Sequence, residues 1–248
     1  MKLTRPVLAM VHGWGMNARI FDGLSDRLAL RFDVRALDLP GHGGRAPLAG
    51  NTLSSWADDL LRALPDGSAL LGWSLGGQLA MRAALDQPDK LSRLILLATT
   101  PRFVAAPDWP HGMEMAALSA FGEALRADPH ATLLRFLSLQ TRGAPDQKSL
   151  LQALRQNLQT TAQPHADTLA AGLDILRDTD LRAELPALRL PTLVLHGTLD
   201  TLTPAGAGAT LAERLPDARL HTFPRAAHAP HLSHPDAVAE AIEGFLHG

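Results

Sequence analysis

Six short runs alternate with stretches whose apolar residues recur at helical spacing, and this alternation constrains the fold more than any other feature. The runs are "PVLAMVHG", "FDVRALDLPG", "SALLGWSLGG", "LSRLILLAT", "PTLVLHGTLD" and "ARLHTFP". Most are almost continuously apolar, as strands covered on both faces of a parallel sheet must be. Each ends in glycine or a polar turn, and helical patterns such as "TLSSWADDLLRAL" and "GGQLAMRAALDQP" follow the second and third. Strand, glycine turn and helix in succession predict βαβ units and an α/β fold, with a mostly parallel central sheet flanked by helices. The 46 % hydrophobic content is enough to fill its core. A compact chain of this size buries roughly 70–75 % of its unfolded surface.

The rhythm stops near Pro101. Four helical patterns follow, "MEMAALSAFGEALRA", "PHATLLRFLSLQT", "KSLLQALRQNLQT" and "HADTLAAGLDILRD", separated by Pro129, Pro145 and Pro164. Strand pattern returns only at Pro191. The economical division is an α/β core made of 1–110 and 179–248, interrupted by a helical lid over 111–178. A net charge of −2 gives no global basic field, so a nucleic-acid partner is not expected. The absence of cysteine excludes disulfides and thiolate metal sites and agrees with a reducing compartment. No apolar stretch approaches the roughly 20 residues that span a bilayer. The N-terminal apolar run is brief, contains Pro6 and ends in His12-Gly13, which does not fit a secretory signal. A cytoplasmic protein without a membrane partner is expected.

Within "GWSLGG", Gly72, Ser74 and Gly76 stand in G-x-S-x-G spacing between a strand pattern and a helix pattern. On so sharp a strand-to-helix turn the middle residue is forced into a strained conformation, with its side chain directed into the cleft. The following helix aims free N–H groups and a partial positive charge at that residue. A chance glycine-serine turn would lack the flanking strand and helix, so Ser74 is expected to be a nucleophile.

A serine hydroxyl needs a base, and the base needs an orienting group. In an α/β-hydrolase fold the chain order is Ser, acid, His. Asp200 follows the strand pattern "TLVLH" and is the expected acid. Asp38 also follows a strand pattern but precedes the serine, and is expected to brace its own loop. Asp174, Asp178 and Asp180 lie in helical pattern and read as solvated or structural. In "RAAHAPHLSHP", His228, His231 and His234 are three apart. A metal site would need three converging rings, and Pro230 interrupts a continuous helix, so no metal site is expected. His228 falls in the loop after the last strand and is the expected base. His234 precedes Pro235 and reads as a cap for the last helix, and His231 as a pocket-lining or solvated residue.

The oxyanion hole requires main-chain donors. Leu75, next after the nucleophile, is one; Trp14 in the first-strand loop "HGWG" is the other, with its indole expected to line the acyl site.

Together "HGWG", "DLPGHG", "GWSLGG", "RFLSLQTRG", "GLDILRDTDLR" and "AAHAPHLSHP" resemble the pimeloyl-acyl-carrier-protein methyl ester carboxylesterases of biotin synthesis. These are α/β hydrolases with a helical lid, and the resemblance covers most of the chain. It implies cleavage of a methyl ester on a carrier-bound pimeloyl chain, by Ser74, Asp200 and His228 as triad and Trp14 and Leu75 as oxyanion donors. It also implies acyl contacts from Phe136, Leu137, Ser138, Leu139 and Gln140, and neither metal nor organic cofactor. The partner would be acyl carrier protein, and the enzyme a monomer. The family's lid presents basic residues to that acidic carrier, for which Arg135, Arg142, Lys148 and Arg155 are the candidates. Residues 126–160 carry five basic residues against Asp128 and Asp146, whereas the helical stretch as a whole also holds Glu114, Glu123, Asp167, Asp174 and Asp178. Any basic surface is therefore a local stripe. A general short-chain carboxylesterase, a carbon–carbon bond hydrolase, a non-haem haloperoxidase and a non-catalytic ligand receptor share the same fold and triad. A dehalogenase would want a carboxylate in place of Ser74.

Overall fold

The structure, a computed structural model, describes residues 5–247; residues 1–4 and 248, the outer ends of the expected core, lie outside it. The six apolar runs form strands β1 (Val7–Val11), β2 (Asp33–Leu37), β3 (Ser68–Trp73), β4 (Leu91–Leu97), β5 (Thr192–Gly197) and β6 (Ala218–Phe223). They make one sheet in the order β2-β1-β3-β4-β5-β6, and every pairing between them is parallel. β3 and β5 are buried throughout, matching their unbroken apolar character. The least apolar runs, "DVRAL" and "ARLHTF", become the two edge strands and are the most exposed. Charged and polar side chains on an edge discourage pairing with another chain.

Between the strands lie α1 (Asp22–Leu28), α2 (Leu53–Arg62), α3 (Leu75–Asp86) and α8 (Ala205–Arg214), followed by the short α9 (Pro230–Ser233) and the last helix, α10 (Pro235–His247). α2 starts where the sequence gives it a reciprocal cap: Thr52 Oγ1 accepts the Ser55 N–H and Ser55 Oγ accepts the Thr52 N–H. Its buried face carries Trp56, Leu60 and Leu61 and packs beside α3, while α1 packs against α10.

From β4 the chain passes through α4 (Met115–Ala127), α5 (Pro129–Gln140), α6 (Gln147–Gln159) and α7 (Ala166–Asp178) before entering β5. α4 packs on α5 and α7, and α5 on α6. Asp128 caps α5 by accepting the Ala131 N–H, with Pro129 in the first turn, where its missing N–H costs nothing. The two ends of this stretch are pinned together. Leu181 N–H donates to Pro101 O at 2.9 Å, and Arg102 pairs with Asp180 at 2.6 Å. Asp180 also binds Arg182, while Asp174 and Asp178 both pair with Arg177.

The strand order reverses beside β1, which runs to β2 on one side and to β3 on the other. In an open parallel sheet the crevice above such a switch point is where ligands bind. The loop "HGWG" and Ser74 emerge there.

Candidate active site

Ser74 has φ 55° and ψ −118°, a left-handed conformation that a non-glycine residue adopts only when its surroundings enforce it. The enforcement is close packing by the flanking glycines. A Cβ on Gly72 would lie 2.3 Å from Gly76 O, and one on Gly76 would lie 2.5 Å from Val11 O. Strand and helix can approach this closely only without side chains, which is the physical content of the G-x-S-x-G spacing.

The strained turn lifts the Ser74 hydroxyl to 2.9 Å from His228 Nε2. His228 Nδ1 lies 2.7 Å from Asp200 Oδ2. Nδ1 therefore carries the proton it gives to the carboxylate, leaving Nε2 free to accept the serine proton. Three residues far apart in sequence thus form one continuous hydrogen-bonded line, all of it buried: Ser74 is 7 % exposed and His228 1 %. Burial alone would raise the Asp200 carboxyl. The charge and hydrogen bond of His228, helped by His196 and the Thr203 main-chain N–H, outweigh it and hold the carboxyl below its ordinary value. Asp200 accepts four hydrogen bonds in all. Oδ1 takes the N–H groups of Leu202 and Thr203 at 2.9 and 3.0 Å, and Oδ2 takes His228 and the Thr203 hydroxyl, the latter at 2.8 Å.

The main chain of His228 is held from two sides. Its carbonyl accepts the Trp73 indole N–H at 2.8 Å, and its N–H donates to Gln140 O, at the end of α5, at 3.1 Å. Sequence reasoning missed Trp73, although it directly precedes the nucleophile; no spacing rule announces an indole reaching across to the histidine loop.

Leu75 is the first residue of α3, directly after Ser74, so its N–H has no acceptor within the helix. The "HGWG" loop is adjacent, since a Cβ on Gly13 would lie 3.0 Å from Ser74 Cβ. His12 fixes that loop: its Nδ1 sits 2.8 Å from Gly13 O and its Nε2 accepts the Leu39 N–H at 3.0 Å. Burial pushes His12 down to about 4, despite the Gly13 carbonyl, so its ring stays neutral. Trp14 is completely buried and donates from its indole to Leu169 O on α7 at 2.8 Å. Its ring meets Phe136 and Phe121 edge-on, with centroids 4.8 and 5.7 Å away.

The five expected acyl-contact residues are divided. Phe136 reaches Trp14, and Gln140 reaches the His228 loop through its carbonyl. Leu137 is fully buried. Leu139 is half-buried against the main core, and Ser138 turns back to bond Leu134 O on its own helix. Arg135, Arg142, Lys148 and Arg155 are exposed, and among the described residues none of them pairs with a carboxylate.

The neighbouring histidines separate cleanly. His231 is neither pocket-lining in a polar sense nor solvated. It is buried between Trp73 and Phe21, at ring distances of 4.7 and 5.3 Å, and burial followed by the nearby His228 pushes it down to about 3. Pro230 opens the short α9 instead of interrupting a helix. His234 caps α10 through its carbonyl, which accepts the Val238 N–H, while its ring engages Ser233. Among the described residues no three His, Asp or Glu side chains are grouped to hold a metal ion. Asp38 accepts the Ala18 N–H and lies against Gly43, bracing the loops around it.

Comparison with known proteins follows the same lines. Residues 6–235 match the family model described as alpha/beta hydrolase fold. Two similar proteins carry the name pimeloyl-[acyl-carrier protein] methyl ester esterase. The one from Nitrosomonas europaea is 44 % identical over 97 % of this chain and 95 % of its own. The one from Aromatoleum aromaticum is 41 % identical over 99 % of this chain and 100 % of its own. Among solved structures, an esterase from Exiguobacterium antarcticum superposes with a TM-score of 0.89 at 24 % identity, covering 99 % of this chain and 93 % of that one. A hydrolase from Pseudomonas aeruginosa superposes with a TM-score of 0.79 at 29 % identity, covering 98 % and 91 %.

Proposed function

Because this chain belongs to the alpha/beta hydrolase fold family, among relatives that are pimeloyl-[acyl-carrier protein] methyl ester esterases, we propose that it demethylates a pimeloyl methyl ester carried on acyl carrier protein. The products are the free carboxylate and methanol, and the place of the reaction is biotin synthesis in the cytoplasm. One observation carries the reading: the line Ser74 Oγ, His228, Asp200, closed at 2.9 and 2.7 Å in a chain so similar to those esterases.

The geometry supports the following cycle. His228 Nε2 takes the Ser74 proton as Oγ attacks the ester carbonyl, and Asp200 holds the ring tautomer and steadies the imidazolium. The Leu75 and Trp14 N–H groups receive the oxyanion; one such donor lowers the barrier by about 3–4 kcal/mol in comparable sites. His228 gives its proton to the departing methoxide, and methanol leaves. Water then attacks the acyl-serine with His228 as base, and the carboxylate is released. The chain acts as a monomer, with no metal or organic cofactor taking part.

In this reading the core is 1–110 and 179–248, and the lid is 111–178. The acyl chain runs between them, against Trp14 and the segment from Phe136 through Leu137, Ser138 and Leu139 to Gln140. The phosphopantetheine arm leaves past Arg135, Arg142, Lys148 and Arg155, whose exposure and lack of carboxylate partners among the described residues suit contact with an acidic carrier. The test is incubation with methyl pimeloyl carrier protein beside a matched long-chain monoester, following loss of methanol by mass spectrometry. Rapid loss from the pimeloyl conjugate is expected. An intact conjugate, under conditions in which the protein still cleaves simple esters, would overturn the substrate assignment.

A further inference from the structure

We propose that Thr203 is a positioning residue that sets the proton affinity of the Asp200–His228 pair; the role rests on the esterase reading above. Asp200 lies in the turn after β5, and its Oδ2 is shared by two donors, His228 Nδ1 at 2.7 Å and the Thr203 hydroxyl at 2.8 Å. The hydroxyl is 3.4 Å from Nδ1, so the two donors converge on one oxygen from adjacent directions. The same residue gives its N–H to Oδ1 at 3.0 Å, gripping both oxygens of the acid.

Thr203 is itself anchored by a second buried imidazole. Its carbonyl faces His196 Nε2, and that nitrogen lies 3.6 Å from Asp200 Oδ2. A ring nitrogen facing a carbonyl oxygen must carry the proton, so His196 is the Nε2–H tautomer. Its other nitrogen faces Gly208 on α8, where a Cβ would lie 2.5 Å away. Burial keeps the His196 ring below its ordinary pKa and therefore neutral. The mechanism uses neither Thr203 nor His196, yet both are fully enclosed against the triad acid.

Each donor to a carboxylate stabilises the anion and weakens its pull on the others. With the hydroxyl in place, part of the Asp200 charge is met by Thr203 and only the remainder acts on the His228 ring. Without it, the same negative charge rests on fewer donors and the protonated imidazole gains. The free-base triad is then reached only at higher pH. The titratable groups that face the acid are His228 from the loop after β6 and His196 from β5; His231 in α9 acts on His228 rather than on Asp200.

The experiment is the pH profile of kcat/KM for p-nitrophenyl acetate, a probe that needs no carrier protein, with Thr203→Val and Thr203→Ser. For Thr203→Val the acid limb should move up by roughly half to one pH unit, and kcat/KM near neutrality should fall about two- to threefold. Thr203→Ser should restore both. The low-field Nδ1 proton resonance of His228 should move in the valine variant and return in the serine variant. If valine proves insoluble, Thr203→Ala carries the same expectation. An acid limb that stays in place while activity falls, or a serine variant no better than valine, overturns the proposal. Labelling of wild-type Ser74 by a fluorophosphonate separates the two layers: no labelling sinks the esterase reading, whereas normal labelling with an unmoved profile sinks only the role of Thr203.

Discussion

The end of the sheet and the helical stretch from α4 to α7 face each other across Ser74, and they are held in place by different means. At the sheet end the triad is held by main chain and buried polar side chains together: a left-handed Ser74, glycines in contact with main chain, and a carboxylate with two main-chain and two side-chain donors. The helical stretch touches this centre through a few defined bonds. Trp14 reaches Leu169, Asn17 reaches Asn157 and Thr161 at 2.9 and 2.8 Å, His165 reaches Gly41, and Gln140 reaches His228. Arg135, Lys148 and Arg155 on α5 and α6 have no carboxylate partner among the described residues, whereas Arg45, Arg82 and Arg102 of the core each have at least one. The contrast teaches a division of labour. The triad sits where main chain and buried polar bonds fix it, whereas the helices share the apolar core on one side and carry exposed charge on the other.

Three perturbations test that division. The largest effect belongs to Ser74→Ala, which should lower kcat for simple esters by roughly 10⁵- to 10⁶-fold, the scale seen when a triad nucleophile is lost. The melting temperature should remain equal to or above that of the parent, because the strain at φ 55° stays and only a hydroxyl is removed. A collapse in stability would mean that this residue is structural.

Acid should strike the core before the helical stretch. Burial holds His12 near 4 and His42 and His231 near 3, whereas His130 and His165 on the helices are exposed. An imidazole with a depressed folded pKa binds its proton mainly in the unfolded state. The stability it allows is therefore complete above about 6.5 and is lost progressively as pH falls toward the folded values of about 4 and 3. Denaturant titrations between pH 7 and pH 4.5 should lose several kcal/mol, on the order of 1.4 per pH unit for each such group. A flat profile over that window would show that these rings are not kept neutral by the fold.

The smallest effect should come from Arg142→Glu with Lys148→Glu. We expect KM for the carrier-bound ester to rise about tenfold at low salt, with the difference shrinking as salt is added. Hydrolysis of p-nitrophenyl acetate by the same variant should be unchanged. Equal losses on both substrates would erase the distinction between the two regions.

What could be read in the sequence follows the same boundary. The six strands, their parallel pairing and the meeting of Ser74, Asp200 and His228 are local consequences of apolar runs, glycine spacing and chain order. The two edge strands could also have been picked out, since "DVRAL" and "ARLHTF" are the least apolar. Bonds between distant segments that no motif or chain order announces were not legible. Nothing in "GWS" says that the Trp73 indole will hold the His228 carbonyl, and nothing in "HLSH" says that His231 will be buried between aromatic rings without a partner. Such contacts depend on which loops the completed sheet brings together. Ser138 shows the same limit within a helix, where position in a motif does not decide between outward contact and a bond to its own turn.

The suspension of His228 between Trp73 and the end of α5 ties the catalytic base to both parts of the molecule. The indole is bolted to the sheet and the Gln140 carbonyl belongs to the helices, so the base senses the seat of α5 through main chain alone. A displacement of α5 would slacken that one bond and leave the ring's own partners, Ser74 and Asp200, where they are.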